Sequence, residues 1–213
     1  MNHFYQILVV LISLTTLFAQ GFEDNQFWHA EKFQKKINEN NSISLEQDFR
    51  AGENMSTLLY FHADFGIKHK LNNKISLSIN FREVFEKKED AFVGEHRPHG
   101  TVSTKTEIGL FDISARSRLE YRMKSGKDPT LRNRDMVSIK LRRELTSFKL
   151  VPYVANEVFF DIENSEFNRN RFYVGATIGS IKIMKPMIYF MVQSGFKSGT
   201  SSHIGILGFK FVF

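Results

Sequence analysis

The sequence of 213 residues predicts an all-β protein that folds as a transmembrane, antiparallel, up-and-down β-barrel of about ten strands, with twelve as the alternative. Three observations support this fold class. Apolar and polar residues alternate over stretches of about ten or more residues, whereas strands of soluble proteins average about five or six. An uncharged apolar run lies near the N-terminus, and the chain ends on an apolar, strand-like segment.

The N-terminal apolar run, Ile7–Ala19, contains no charged residue. It is too short to span a bilayer as a helix, but it has the length of the apolar core of a signal peptide. We therefore expect residues 1–20 to be a signal peptide that is removed during export. We interpret residues 21–41 as an N-terminal lead-in segment, within which Gln26–Ile37 could also form an extra strand, and residues 42–213 as the barrel.

The strands follow from the alternation. In KISLSINFR, residues 74–82, every second residue is apolar and those between are Ser, Asn or Arg. Links that are short and long in turn predict short periplasmic turns, long outer loops and a periplasmic C-terminus. The predicted strands are 42–50, 57–70, 73–86, 99–110, 111–123, 132–145, 147–160, 168–180, 181–194 and 202–213.

The last strand carries Phe209, Phe211 and Phe213 on one face. A terminal Phe with aromatic residues at alternate positions before it resembles the assembly signal that the barrel-insertion machinery reads. We therefore expect these three rings to face lipid and to direct assembly. The alternative is a β-sandwich whose edge strand happens to be C-terminal.

The polar faces of the strands carry many charges, and basic residues outnumber acidic ones. This excess predicts either a narrow, anion-leaning pore or an interior filled with ion pairs. Because Glu120 and Glu144 cannot balance the neighbouring basic residues, we expect water, anions or acids from other strands in the lumen. The predicted lumen-facing charges are Arg116, Arg118, Glu120, Arg122, Lys140, Arg142, Glu144, Arg169 and Arg171.

Several charged motifs, spread over most of the chain from Trp28 to Phe213, carry a resemblance to a known family. They are LEQDFR, HRPHG, RSRLEYR, LRNRDMVSIKLRRE, ANEVFFD and FNRNRFYVG. The sequence with these motifs resembles a bacterial outer-membrane β-barrel family of unknown function (domain of unknown function 2490). The resemblance implies a barrel fold and an outer-membrane location, and it implies no reaction.

Composition narrows the function classes. The chain has no cysteine, and its net charge of +6 is not gathered in one block, which argues against a nucleic-acid partner. The cluster EHRPH, residues 95–99, contains metal-ligand types, but we interpret it as an ordinary loop-end cluster. We expect no cofactor and no metal.

Two functions remain open. The first is a non-enzymatic outer-membrane barrel, either a narrow pore or a structural or interaction protein, whose partners are outer-membrane lipid, the insertion machinery and small solutes or anions. The alternative is a membrane-embedded hydrolase acting on lipid or on a surface peptide. His62, His69 and His203 are its candidate bases, although the sequence contains no GxSxG motif.

Overall fold

The computed structural model describes residues 21–179, 181, 183–197 and 200–213. The predicted signal peptide lies outside the described residues. Eleven strands form one closed barrel, so the predicted all-β barrel fold is confirmed. In the described part of the chain there is no helix that could cross a membrane.

Each strand pairs antiparallel with its neighbours in sequence, and the number of strands lies between the two predicted values. The strands are β1 (Asp24–Lys36), β2 (Asn41–Gly52), β3 (Thr57–Lys70), β4 (Ile75–Lys88), β5 (Ala91–Ile108), β6 (Phe111–Lys124), β7 (Thr130–Leu141), β8 (Leu150–Asp161), β9 (Glu166–Ile178), β10 (Lys185–Lys197) and β11 (Thr200–Val212).

The interpretation of residues 21–41 as a lead-in is wrong for Asp24–Lys36, which is the first strand of the barrel. Its alternation is weak because both faces mix polar and apolar residues. Trp28 and Ala30 are buried towards the lumen, whereas the outer face carries His29 and Glu31 between phenylalanines. A strand of this kind has no clear period of two.

The barrel closes through a parallel pair, because an odd number of alternating strands leaves the first and last running in the same direction. β1 pairs with β11 in parallel register, from Asp24 opposite Ile204 to Lys32 opposite Val212. The start of β1 and the end of β11 therefore lie at opposite openings. We call the opening where β1 begins the N-side mouth and the opening where β11 ends the C-side mouth.

The C-terminal residue Phe213 completes this closure. Its backbone N–H donates to the carbonyl of Lys32 at 2.8 Å, and its own carbonyl accepts from the N–H of Gln34 at 3.0 Å. Its ring stacks on Phe33 with centroids 4.9 Å apart. Two further aromatic pairs bridge the same two strands: Phe27 with Phe209 (5.7 Å) and His29 with Phe211 (5.6 Å).

The predicted long links opposite the C-terminus are mostly strand. β5 runs from Ala91 to Ile108 through a region that was predicted to be a loop. A longer connection, residues 142–149, lies instead at the C-side mouth. The alternation fades towards the N-side mouth because polar residues lie on both faces there, so strand and loop look alike in the sequence.

The outer wall carries an apolar belt of exposed side chains. Its members include Leu45, Phe65, Ile67, Ile79, Phe81, Val102, Leu119, Val137, Phe172 and Val174. Polar groups interrupt this belt, and several of them bond to one another. These pairs are Gln47–Glu31 (2.7 Å), His96–Glu83 (2.6 Å), Asn133–Asp135 (2.7 Å), Asn156–Asn170 (3.1 Å) and Ser194–His203 (3.0 Å).

Deletion of Phe213 is expected to reduce the fraction of chains that form a closed barrel, because it removes two backbone hydrogen bonds and the stack on Phe33. Heat-modifiable gel mobility of membrane fractions measures that fraction. Phe148→Ala is the matched control, since this ring lies in an end connection and is 60% exposed. An unchanged folded fraction after the deletion would show that closure does not depend on the last residue.

Candidate functional site

The lumen contains two cavities that meet at one layer of side chains. The cavity on the N-side measures about 530 Å³ and the cavity on the C-side about 820 Å³. We call them the N-side chamber and the C-side chamber. Both are lined by Trp28 and by four guanidinium groups, which we call the arginine layer: Arg50, Arg82, Arg134 and Arg171.

Aromatic rings hold the arginine layer in place. The guanidinium of Arg50 lies 3.7 Å from the ring centroid of Trp28 and 4.1 Å from that of Tyr60. Arg171 lies 4.9 Å from the same Trp28 ring. A planar guanidinium stacks well on an aromatic face, so these contacts fix the direction in which the cations point.

Glu157 on β8 is the main anion beside this layer, and its side chain is fully buried. It accepts hydrogen bonds from Arg116 at 2.6 Å and from Arg134 at 2.9 and 3.0 Å. Arg171 lies 3.6 Å away, and the hydroxyl of Tyr173 donates at 3.4 Å. One carboxylate therefore pairs with three arginines from three different strands.

Glu120 on β6 is the second fully buried carboxylate. It accepts bonds from Arg132 and, at 2.8 Å, from Arg134, while Arg118 lies 3.8 Å away. Arg134 thus bridges Glu120 and Glu157. The two carboxylates and their arginines form one continuous ion-pair network across β6, β7, β8 and β9.

Two further acids extend the network around the lumen. Glu95 on β5 accepts from Arg122 at 2.8 and 3.0 Å and from Arg97 at 2.7 Å. On β3, Asp64 accepts from Arg82 at 2.7 Å and lies 2.9 Å from a ring nitrogen of His99. Acids from other strands therefore pair with several of the basic residues, which is one of the three arrangements expected from the sequence.

Most of the predicted lumen-facing charges line the lumen: Arg116, Arg118, Glu120, Arg122, Lys140, Arg169 and Arg171. Glu144 also lines the C-side chamber, but neither it nor Arg142 lies on a strand, because β7 ends at Leu141 rather than at residue 145. Arg142 pairs at the rim with Glu107 at 2.9 Å, and Glu144 pairs with Lys149 at 3.5 Å.

Other residues that face the lumen were not predicted from the sequence to do so. They include Trp28, Glu95, Arg97, Arg132 and Arg134. The motif LRNRD did contain information about this placement. Arg132 and Arg134 are two residues apart, so they lie on the same face of their strand. Trp28 was missed because its strand was interpreted as a lead-in.

Both chambers have an excess of positive charge among the described residues. Eleven cationic side chains line the N-side chamber against one acid, Glu86, and ten line the C-side chamber against four acids. The cations of the N-side chamber are Arg50, Arg82, Lys87, Lys88, Arg97, Arg122, Lys124, Arg132, Arg134, Arg169 and Arg171. The field of these side chains inside both chambers therefore favours negative charge.

The EHRPH cluster does not gather its ligand types at one point. Glu95 and His99 face the lumen, where they pair with arginines and with Asp64. His96 lies on the outer wall and bonds to Glu83. Within the described ranges, no group of three His, Cys, Asp or Glu side chains could hold a metal ion.

The candidate bases lie in different surroundings. His62 is buried in the lumen, 3.8 Å from both Glu46 and Asp48. The other two bond to polar neighbours away from the lumen: His69 Nδ1 to Asn41 Oδ1 at 2.8 Å, and His203 Nδ1 to Ser194 Oγ at 3.0 Å. The three histidines therefore do not form one site.

Comparison with known proteins agrees with the resemblance seen in the sequence. Residues 25–203 match the model of the family described as Protein of unknown function (DUF2490). The chain belongs to this family. Its family membership supports the barrel of unknown function expected from the motifs and adds no reaction.

Among solved structures, the chain is similar to the translocator domain of autotransporter NalP from Neisseria meningitidis. The two share 12% identity with a TM-score of 0.47, and the match covers 81% of this chain and 75% of that chain. The comparison with curated proteins gives no match.

Replacing Glu157 by Gln is expected to destabilise the barrel, because three arginines lose their shared anion in a buried site. Breaking a buried ion pair typically costs about 3–5 kcal/mol. The urea midpoint of the barrel refolded in lipid vesicles measures the loss. Glu144→Gln is the control, since its ion pair with Lys149 is exposed and worth about 0–1 kcal/mol. Equal midpoints for the two variants would contradict a structural role of the network.

Proposed function

We propose that this protein is a non-enzymatic barrel of the bacterial outer membrane whose lumen admits small anions. The observation that carries the proposal is the excess of cationic side chains in both chambers on either side of the arginine layer. A low-dielectric wall focuses the field of these charges along the lumen.

The membrane location is supported by the closed barrel and its apolar belt. Closure leaves no unpaired strand edge, which is required of a sheet that lies in lipid. The outward polar groups bond to one another, which lowers the cost of placing them in an apolar layer. Export would rely on the signal peptide, and assembly on recognition of Phe209, Phe211 and Phe213 by the insertion machinery.

The arginine layer would set the selectivity. Its guanidinium groups are already oriented by Trp28, Tyr60 and the buried carboxylates, so they offer fixed donors to an anion that sheds part of its water. A cation passing the same layer would meet like charges. The buried carboxylates beside this layer already accept hydrogen bonds from its arginines, and so offer a cation little compensation.

Planar-bilayer recordings of the refolded protein under a salt gradient are expected to show anion-selective current that loses its selectivity as salt rises. The double variant Lys140→Glu and Lys185→Glu, in the C-side chamber, should shift the reversal potential towards cations. The matched control is Lys74→Glu with Lys127→Glu, which makes the same charge change on connections at the two mouths. Absence of current in the wild-type protein would contradict the proposal that the lumen conducts anions, which we call the anion conduit. It would favour a packed structural barrel.

A hydrolase is the second candidate, and one observation favours it. Ser194 Oγ lies 3.0 Å from His203 Nδ1 on the outer wall, where lipid is expected. A nucleophilic serine needs a base at this distance. The base also needs an orienting group, and among the described residues no carboxylate pairs with His203. We therefore place this candidate below the anion conduit.

Purified protein is expected to release no fatty acid from phospholipid vesicles above the rate of the Ser194→Ala variant. Ser117→Ala, which changes an exposed serine of β6, is the control for general effects on the outer wall. Hydrolysis by the wild-type protein and by Ser117→Ala, but not by Ser194→Ala, would favour the hydrolase over the conduit.

A further inference from the structure

Four guanidinium groups surround the ring of Phe159, which is 1% exposed near the N-side end of β8. Arg134 and Arg171 lie 4.6 and 4.7 Å from its centroid. Arg132 and Arg169 lie 5.2 and 5.5 Å from it. We call these four residues the Phe159 cluster.

The register of the sheet brings the cluster together. Phe159 pairs with Arg134 of β7 on one side and with Arg169 of β9 on the other. Residues two apart on a strand share a face, so Arg132 and Arg171 project into the same space. The four cations are thus held by backbone pairing and not by flexible loops.

The carboxylates near the cluster do not balance it. Glu120 and Glu157 bond to or lie near three of its arginines, and they also serve Arg116 and Arg118 outside it. No carboxylate of the described residues forms an ion pair with Arg169. Two acids against four arginines leave the cluster short of at least two negative charges.

Such a deficit is costly because Arg132, Arg134 and Arg171 are at most 8% exposed, and a desolvated guanidinium that must share its anion recovers only part of its lost hydration. The open side of the cluster faces the N-side chamber, whose volume is about 530 Å³. At about 30 Å³ per water molecule, this space can hold a small oxyanion together with part of its hydration shell.

The geometry favours a phosphoryl group over a halide. Guanidinium forks donate two hydrogen bonds to a pair of oxygens, and tetrahedral oxyanions present several such pairs at once. The phosphate dianion supplies two negative charges within a few ångströms, and pyrophosphate supplies more, which matches the deficit. Chloride supplies a single charge, and it has no pair of oxygens to accept the two parallel hydrogen bonds of a guanidinium.

We propose that the Phe159 cluster is a binding site for compact multivalent oxyanions of the phosphate class, which enter from the N-side chamber. The inference deepens the proposed function, since it names the class of anion that the lumen prefers. Bound phosphate would occupy the approach to the arginine layer, and it would therefore slow the passage of smaller anions.

The test uses the full refolded barrel in a neutral detergent without phosphate groups, so that no headgroup occupies the site. Pyrophosphate, phosphate, succinate and chloride are titrated at constant ionic strength, and binding is followed by calorimetry and by the thermal unfolding midpoint. Pyrophosphate is expected to bind at least ten times more tightly than chloride and to raise the midpoint. Succinate, a less compact divalent anion, is expected to bind more weakly than phosphate.

Arg169→Gln is expected to weaken pyrophosphate binding at least tenfold. Because it removes a cation without an ion-pair partner, it should leave the unfolding midpoint of the ligand-free barrel unchanged or higher. Lys140→Gln, which removes one positive charge from the C-side chamber, is the control and should keep the affinity. An equal loss of pyrophosphate affinity in both variants would show that binding depends on the overall field of the lumen. It would contradict a specific site at the Phe159 cluster.

The outcomes separate the two proposals. Anion-selective current in chloride, with no binding of pyrophosphate and no shift of the unfolding midpoint, would contradict the phosphate site. It would leave the proposal of an anion-conducting lumen unaffected. Pyrophosphate binding that depends on Arg169, in a barrel that passes no current, would overturn the conduit and leave a binding barrel. Tighter binding of succinate than of phosphate would overturn the phosphoryl preference.

Discussion

The pairing of buried guanidinium groups is the constraint on which the rest of this barrel depends. Arg134 reaches both Glu120 and Glu157, and so joins two carboxylates that no solvent reaches. A slip of one residue in any of these strands would turn the arginines towards the apolar outer side and leave the acids alone. The ion pairs therefore specify the register, and the register in turn creates the two chambers and the cluster around Phe159.

The fold could be predicted where one face of a strand is apolar and the other polar. KISLSINFR in β4 shows this pattern, because its outward residues form part of the apolar belt and its inward residues meet the lumen. The same reasoning failed for Asp24–Lys36 and for the first half of β5. Their outer faces carry His29, Glu31 and His96, so the local pattern held no period of two from which a strand could be recognised.

The lumen charges could be assigned to a face by parity, but their partners could not be assigned. Arg116 pairs with Glu157, which lies 41 residues further along the chain and two strands away. Only the stagger of the whole sheet decides that contact, and local sequence says nothing about stagger. For the same reason the division into two chambers was not foreseen: it depends on Trp28 meeting Arg50, its pairing partner on the neighbouring strand β2, and Arg171 of β9, three strands away.

The closing contact between β1 and β11 has a consequence for the order of folding. Phe33 and Phe213 stack although 180 residues separate them in the chain, and closing so long a loop has a high entropic cost. Pairing between strands that are neighbours in sequence closes shorter loops and is favoured first, which leaves both edge strands of the seam open until the other pairs have formed. The β1 edge carries Glu31, Lys32, Lys35 and Lys36, charges that oppose pairing with another copy of itself. The apolar β11 edge lacks this protection, so premature release of an unclosed sheet would favour aggregation through its last strand.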